Sequence, residues 1–293
     1  MENNKNIKAD SYYKDVVKRF LSHKLAMVGL IVIIIELICV ILLPIIFNMD
    51  PYTSDPTAFN AAPSKAHFFG CDDLGRDVFA RLMYGGRVSL QVGLLSAIIS
   101  MVVGIPLGLI AGYYGGIWET IIMRLADIFM SFPSMILILV LVAIFGPSVW
   151  TVTLVIGVLG WTDFAKLMYG NVLTVRNKEY VESAKAIGTK DFKILVSYII
   201  PNAFTPVLIN FTFRMAQAII QESALSFLGM GVQPPMASWG NILYAAQSIV
   251  VLSHRPWLWI PPGILLVLTV CSINFIGDGL RDALDSKMTI KKK

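Results

Sequence analysis

The 293-residue chain is poor in charge: only 15% of its residues are Asp, Glu, Lys or Arg, against 56% that are hydrophobic. That leaves too little polar surface for an ordinary soluble domain. Three cysteines and three histidines are scattered. Cys39 and Cys271 lie in apolar runs, Cys71 stands alone in a polar loop, and His23, His67 and His254 are far apart. No disulfide framework or metal-ligand spacing is offered. The Gly-x-x-x-x-Gly-Lys-Ser/Thr phosphate loop is missing, since the stretch from Gly188 to Lys190 lacks the first glycine. So are His-Glu-x-x-His, a nucleophile elbow and paired catalytic carboxylates. Neither ATP hydrolysis nor another recognisable enzyme activity is expected of this chain. The net charge of +5 does not indicate nucleic acid, because the basic residues are spread over the flanks of apolar segments.

Those apolar segments are long. A membrane span needs about 20 mostly apolar residues, and six candidates lie near 25–47, 88–113, 122–145, 148–170, 194–220 and 258–280. The first is too long for a signal-peptide core and is expected to remain as a membrane helix. Lys5, Lys8, Lys14, Lys18, Arg19 and Lys24 precede it. The loop at 171–193 and the tail after 280 are also basic, whereas the 221–257 segment has Arg255 alone. This asymmetry puts both termini in the cytoplasm. The expected architecture is all-α and polytopic with six spans.

Between two apolar segments lies a charged island, 177–201. Val181, Ala184 and Ile187 recur at helical spacing with Tyr180 beside them, and Glu179, Glu182 and Lys185 fall on another face. Gly188 ends that helix. Thr189 is the expected N-cap of a second one, with Phe192, Leu195, Val196 and Ile199 as its apolar stripe. Glu182, Ser183, Ala184, Gly188, Ile200 and Pro201 resemble the EAA loop of ABC importer permeases. Earlier in the chain, Gly70, Asp72, Leu74, Gly75, Arg76 and Asp77 are similar to the Gly-Thr-Asp-x-Leu-Gly-Arg-Asp signature of the dipeptide, oligopeptide and nickel branch, with Cys71 in place of threonine.

The resemblance spans about residues 65–285 and implies the ABC importer permease fold. It divides the chain into 1–87 (cytoplasmic tail, first span and external loop) and 88–293 (a five-helix core with the coupling loop at 177–201). It also implies that Tyr180, Glu182, Ser183, Ala184, Ile187 and Gly188 dock a cytoplasmic ATPase subunit. The complex would contain a second, similar permease, two ATPases and an extracytoplasmic solute-binding protein, in a bacterial cell membrane. ATP and Mg would be held by the ATPases, with no cofactor on this chain. The cargo would be a di- or oligopeptide, with nickel or a metal chelate as the alternative. The segment from Ser226 to Asn241 would face the binding protein. From the residues alone, an ion-coupled carrier or a channel stays open, since Glu36, Asp127, Asp163 and Asp278 lie in or near spans.

Several features are read directly. Asp77 and Arg81, Arg124 and Asp127, and Asp163 and Lys166 are spaced to pair along single helices. The helix carrying Asp77 and Arg81 is expected to be short and to lie on the outer membrane surface. Ser96, Ser100, Gly104, Gly108, Gly112 and Gly116 recur every fourth residue, a ridge for close helix packing against this chain or a partner. Pro106 and Pro133 are expected to bend their spans. Arg214, Gln217 and Gln221 share one helical face that lipid would not tolerate. They either line a translocation path or form an intra-chain seam.

Overall fold

The computed structural model describes residues 14–284. The basic residues at 5 and 8 and the C-terminal Lys287, Lys291, Lys292 and Lys293 lie outside that range. Among the described residues the chain is helical, with two isolated bridges, Ser54 with Arg76 and Cys71 with Asp77, in its longest loop. A short helix α1 (14–22) leads into α2 (Lys24–Ile46). After the loop at 47–77 come α3 (Val78–Tyr114), α4 (Gly116–Ser131), α5 (Ser134–Phe145), α6 (Val149–Leu159) and α7 (Trp161–Arg176). The charged island holds α8 (Glu179–Ala186), α9 (Asp191–Ile194), a π-helical turn (Leu195–Ile199) and α10 (Ile200–Ala203). Then follow α11 (Thr205–Phe227), α12 (Trp239–Leu243), α13 (Ile249–His254) and α14 (Ile260–Leu284).

Among the described residues, four helical segments are long and apolar enough to cross a membrane: Lys24–Ile46, Val78–Tyr114, Val149–Arg176 and Pro256–Leu284. Two helix pairs reach that length and hydropathy only together, and each is bent. α4 and α5 meet at 89° around Phe132 and Pro133, and Asp191–Ala203 meets α11 at 59°. Counting each bent pair once gives the six expected spans. A proline has no N–H for the ladder and disfavours the helical region for its predecessor. Phe132 accordingly has an extended backbone, and the chain turns there.

α3 is the packing axis. Its most extensive contact is with α7, along the small-residue ridge. A methyl group on Gly104 would lie 2.6 Å from Phe164 Cβ, on Gly108 2.8 Å from Met168 Cβ, and on Gly112 2.7 Å from Val172 Cβ. Higher on the same face, Ser96 donates to the Thr153 carbonyl (3.0 Å) and Ser100 to that of Gly157 (2.7 Å). The ridge's neighbour is therefore in this chain. Gly116 does not belong to the ridge: it starts α4 with φ +57°, and nothing lies within 4 Å of the position a side chain would take. The α3–α7 seam continues into a core of Phe164, Met168, Val172, Val181, Ala184, Ile194 and Ile199, which carries the charged island on the end of α7. α2 lies against α14, where Thr269 Oγ1 meets Glu36 Oε2 at 2.8 Å.

Two local expectations are corrected. The residues from 78 to 87 form no separate surface helix, because α3 runs unbroken through 37 residues from its Asp77 cap. Of the three single-helix ion pairs, Arg124 with Asp127 is kept, while the other two give way to contacts between elements. Asp77 meets His67 at 2.9 Å while Arg81 turns to Asp72 at 3.4 Å. Asp127 binds Lys166 of α7 at 2.7 Å and is only 4.0 Å from Arg124, and Asp163 faces Arg214 of α11 at 3.8 Å.

Candidate functional site

The charged island stands at the end of α7. α8 has acidic residues in its first turn and Lys185 in its last, matching the helix dipole. It ends in a Schellman turn: Gly188 has φ +78°, its N–H donates to Lys185, and the Thr189 N–H donates to Ala184. Thr189 is thus spent on this stop, and Lys190 precedes α9 as its cap. Val181 and Ala184 are buried, while Tyr180, Glu182, Ser183 and Gly188 are exposed. Ile187 departs from the expected buried face and is 81% exposed. The second apolar stripe also divides. The π-helical turn shifts the register, so Ile194 and Ile199 are buried whereas Phe192 is 78% exposed. Ile187 and Phe192 are thus both exposed, in a stretch that also carries the exposed Glu182, Lys185, Lys190 and Lys193.

Arg214, Gln217 and Gln221 all line one cavity of about 450 Å³, bounded also by Phe129, Phe132 and Asp163. Arg214 and Gln221 are buried, and Gln221 Oε1 has no hydrogen-bond partner. Arg214 donates to the Ile156 carbonyl (2.7 Å) and lies 3.4 Å from Ser100 Oγ. The break at Pro133 brings Phe129, Phe132 and Ser134 to the same wall.

At the other end of α3, the 70–77 stretch is organised by Asp72. Its Oδ1 accepts from the N–H groups of Leu74 and Arg76, both at 2.9 Å, and its Oδ2 takes the Arg76 guanidinium at 2.8 Å. Gly70 (φ +69°) and Gly75 (φ +73°) press against the Ala61 and Asp55 carbonyls. Only glycine fits both the backbone angle and the space. Asp77 caps α3 by accepting from the Ala80 N–H at 2.8 Å, and Leu74 is half exposed. Hydrogen bonds from Thr57 hold the Asp55 carboxyl below its ordinary range. Burial, then the nearby Asp77, Asp72 and Asp55, pushes the Cys71 thiol up to about 11.

Residues 104–290 match the family described as the binding-protein-dependent transport system inner membrane component. The chain belongs to this family of ABC importer permeases. Residues 11–63 further match the N-terminal TM domain of oligopeptide transport permease C. The permease is 37% identical over 281 residues to the oligopeptide transport system permease protein OppC of Bacillus subtilis, covering 96% of this chain and 92% of that one. It is 39% identical over 280 residues to the dipeptide transport system permease protein DppC of Alkalihalophilus pseudofirmus, covering 96% and 91%. Among solved structures, the inward-facing MetNI methionine ABC transporter matches with a TM-score of 0.57 at 20% identity, over 70% of this chain and 97% of that one. This last likeness concerns the fold alone. An ABC permease fold of several apolar helices makes the protein a multi-pass component of a bacterial cell membrane, and the ion-coupled carrier and channel readings fall away.

Two groups of residues in the permease escaped the sequence reading. Around the island, Tyr113 donates to Asp191 at 2.5 Å, Lys185 lies 4.9 Å from the Tyr113 ring centre, and Arg176 donates to the Gly112 and Tyr113 carbonyls at 2.9 and 3.1 Å. These bonds fasten the island to the end of α3. Farther along α11, the fully buried Glu222 accepts from Ser89 (3.0 Å) and Ser226 (2.8 Å), Ser89 accepts from the Trp239 N–H (3.2 Å), and Ser226 from that of Val232 (3.1 Å). This clasp holds the irregular 226–243 segment against α3. Tyr113 and Asp191 are 78 positions apart, and Ser89 and Glu222 are 133, so no local spacing could have flagged either.

Proposed function

We propose that this permease forms half of the translocation path of an ATP-driven importer of di- or oligopeptides. The peptide cargo is supported by the names of the relatives, which are an oligopeptide and a dipeptide permease. In this reading Tyr180, Glu182, Ser183, Ala184, Ile187 and Gly188 dock one of two ATPase subunits. These carry the ATP and Mg. Arg214, Gln217 and Gln221 line the path beside a second, similar permease. Gly70, Asp72, Leu74, Gly75, Arg76 and Asp77 shape the outer face, where an extracytoplasmic binding protein delivers the peptide. Both termini and the docking island are cytoplasmic, as their basic flanks favour.

One observation carries the docking role: an amphipathic helix, stopped by a glycine and fastened to the membrane helices, in a charged stretch that leaves Ile187 and Phe192 bare. Exposed apolar side chains of this kind are suited to burial in a partner's cleft. Closure of the ATPases would move the island, and with it a two-state equilibrium of the spans. The test is purification of the intact complex in mild detergent, with Ile187→Asp and Gly188→Val variants, followed by ATP hydrolysis and labelled-peptide uptake in proteoliposomes. Wild-type recovery of ATPases, lost in both variants, and ATP-dependent peptide uptake are expected. A permease that purifies without ATPases, or a wild-type complex that takes up nickel but no peptide, overturns the corresponding part.

A further inference from the structure

We infer that the Arg214–Asp163 pair is the latch that passes movement of the docking island to the wall of the cavity. The inference rests on the reading of α8 as the ATPase dock and adds the residues that would carry its motion inward.

α7 carries α8 at one end and Asp163, in its first turn, at the other. Just before that turn, Gly160 separates α6 from α7. Arg214 of α11 fills the space beside this glycine: a methyl group on Gly160 would collide with the guanidinium and with Ser100 Oγ. The guanidinium therefore spans the joint, and its two attachments differ. On the α6 side it donates directly to the Ile156 carbonyl at 2.7 Å. On the α7 side it stands 3.8 Å from Asp163 Oδ2, too long for a hydrogen bond.

The two charges also differ in surroundings. The Arg214 side chain is 8% exposed and the Asp163 side chain 46%, and both line the cavity. Water in the cavity can solvate the half-exposed Asp163 when the pair opens, whereas the buried Arg214 keeps its bonds to the Ile156 carbonyl and Ser100 Oγ. A displacement of α7 by about 1 Å toward α11 makes a direct charged hydrogen bond, and one of the same size away gives Asp163 to water. The pair thus has two positions, and α7 selects between them. Lys166 keeps to Asp127 of α4 at 2.7 Å and does not compete for Asp163.

The experiment uses the complete complex in proteoliposomes and reads peptide taken up per ATP hydrolysed. Asp163→Asn is expected to lower that ratio about ten-fold while hydrolysis continues, and Asp163→Glu to restore most of it. An unchanged ratio in Asp163→Asn, or equal loss in the Asn and Glu variants, overturns the latch. A second measurement needs no variant. Carboxylates of the wild-type complex are labelled with a water-soluble carbodiimide and an amine, without nucleotide and after trapping with ATP and vanadate. Labelling of Asp163 that differs between the two states is expected, and equal labelling overturns the latch. A wild-type chain that brings down no ATPase overturns the docking reading itself, a different result from an intact complex with unaltered coupling.

Discussion

Alanine at Gly108 and alanine at Gly170 add the same methyl group to two helices of one seam, with opposite expected results. At Gly108 the new carbon would lie 2.8 Å from Met168 Cβ and closer still to the Ala165 carbonyl oxygen. Carbon pairs prefer about 3.5–4.0 Å, so α3 and α7 must part by roughly 1 Å, and contacts along the seam lose a quarter to a half of their attraction. Overpacking of this kind costs about 1–3 kcal/mol. The better helix propensity of alanine returns about 1 kcal/mol. Gly170 is exposed on α7 with nothing within 4 Å, so there only the gain of about 1 kcal/mol applies. Thermal unfolding of the purified complex, followed by loss of monodisperse protein, should show a lower midpoint for Gly108→Ala and an unchanged or higher one for Gly170→Ala. Equal shifts of one sign would refute the close approach of α3 to α7.

Asp72→Asn removes the charge that binds Arg76 and leaves the buried Arg81 without its carboxylate. Loss of about 2–3 kcal/mol is expected, measured as a lower thermal midpoint, and Arg81→Lys should recover none of it. Tyr113→Phe deletes the hydroxyl that binds Asp191. Amide exchange in residues 187–199 should accelerate, with that of α3 unaltered; unchanged exchange would sink the bracing role. The Cys71 thiol is raised to about 11 from an ordinary 9.0. Its neutral form therefore adds to stability fully below pH 9.0, and the contribution fades as pH rises through about 11. Maleimide should leave Cys71 unmodified at pH 8 in the native complex and label it after denaturation.

How much of this was legible before the structure depends on whether the cause was local. The stop at Gly188 and the turn at Pro133 each arise within a few residues, and the sequence pattern located both. The ridge from Ser96 to Gly112 announced close packing, but a stripe on one helix cannot name the helix it meets. The pairing of Asp163 with Lys166 failed for the same reason. Spacing of three or four makes Asp163 and Lys166 possible partners on α7, yet Arg214 and Asp127, on α11 and α4, offered each a better one. Phe192 was misassigned because a period of 3.6 residues was carried across Leu195–Ile199, where the turn is wider. Arg214, Gln217 and Gln221 were found as a stripe, but the wall opposite them depends on an 89° bend whose size no proline specifies.

α3 has a consequence for how the two ends of the permease can communicate. At 37 residues it is about 55 Å long, well beyond the roughly 30 Å of a bilayer's hydrocarbon layer. Its first turns hold the Asp72 loop and the Trp239 segment, and its last residue but one grips Asp191. One continuous helix thus joins the Asp72 loop to the docking island, so a tilt imposed at either end is passed along a single element that holds one proline, Pro106.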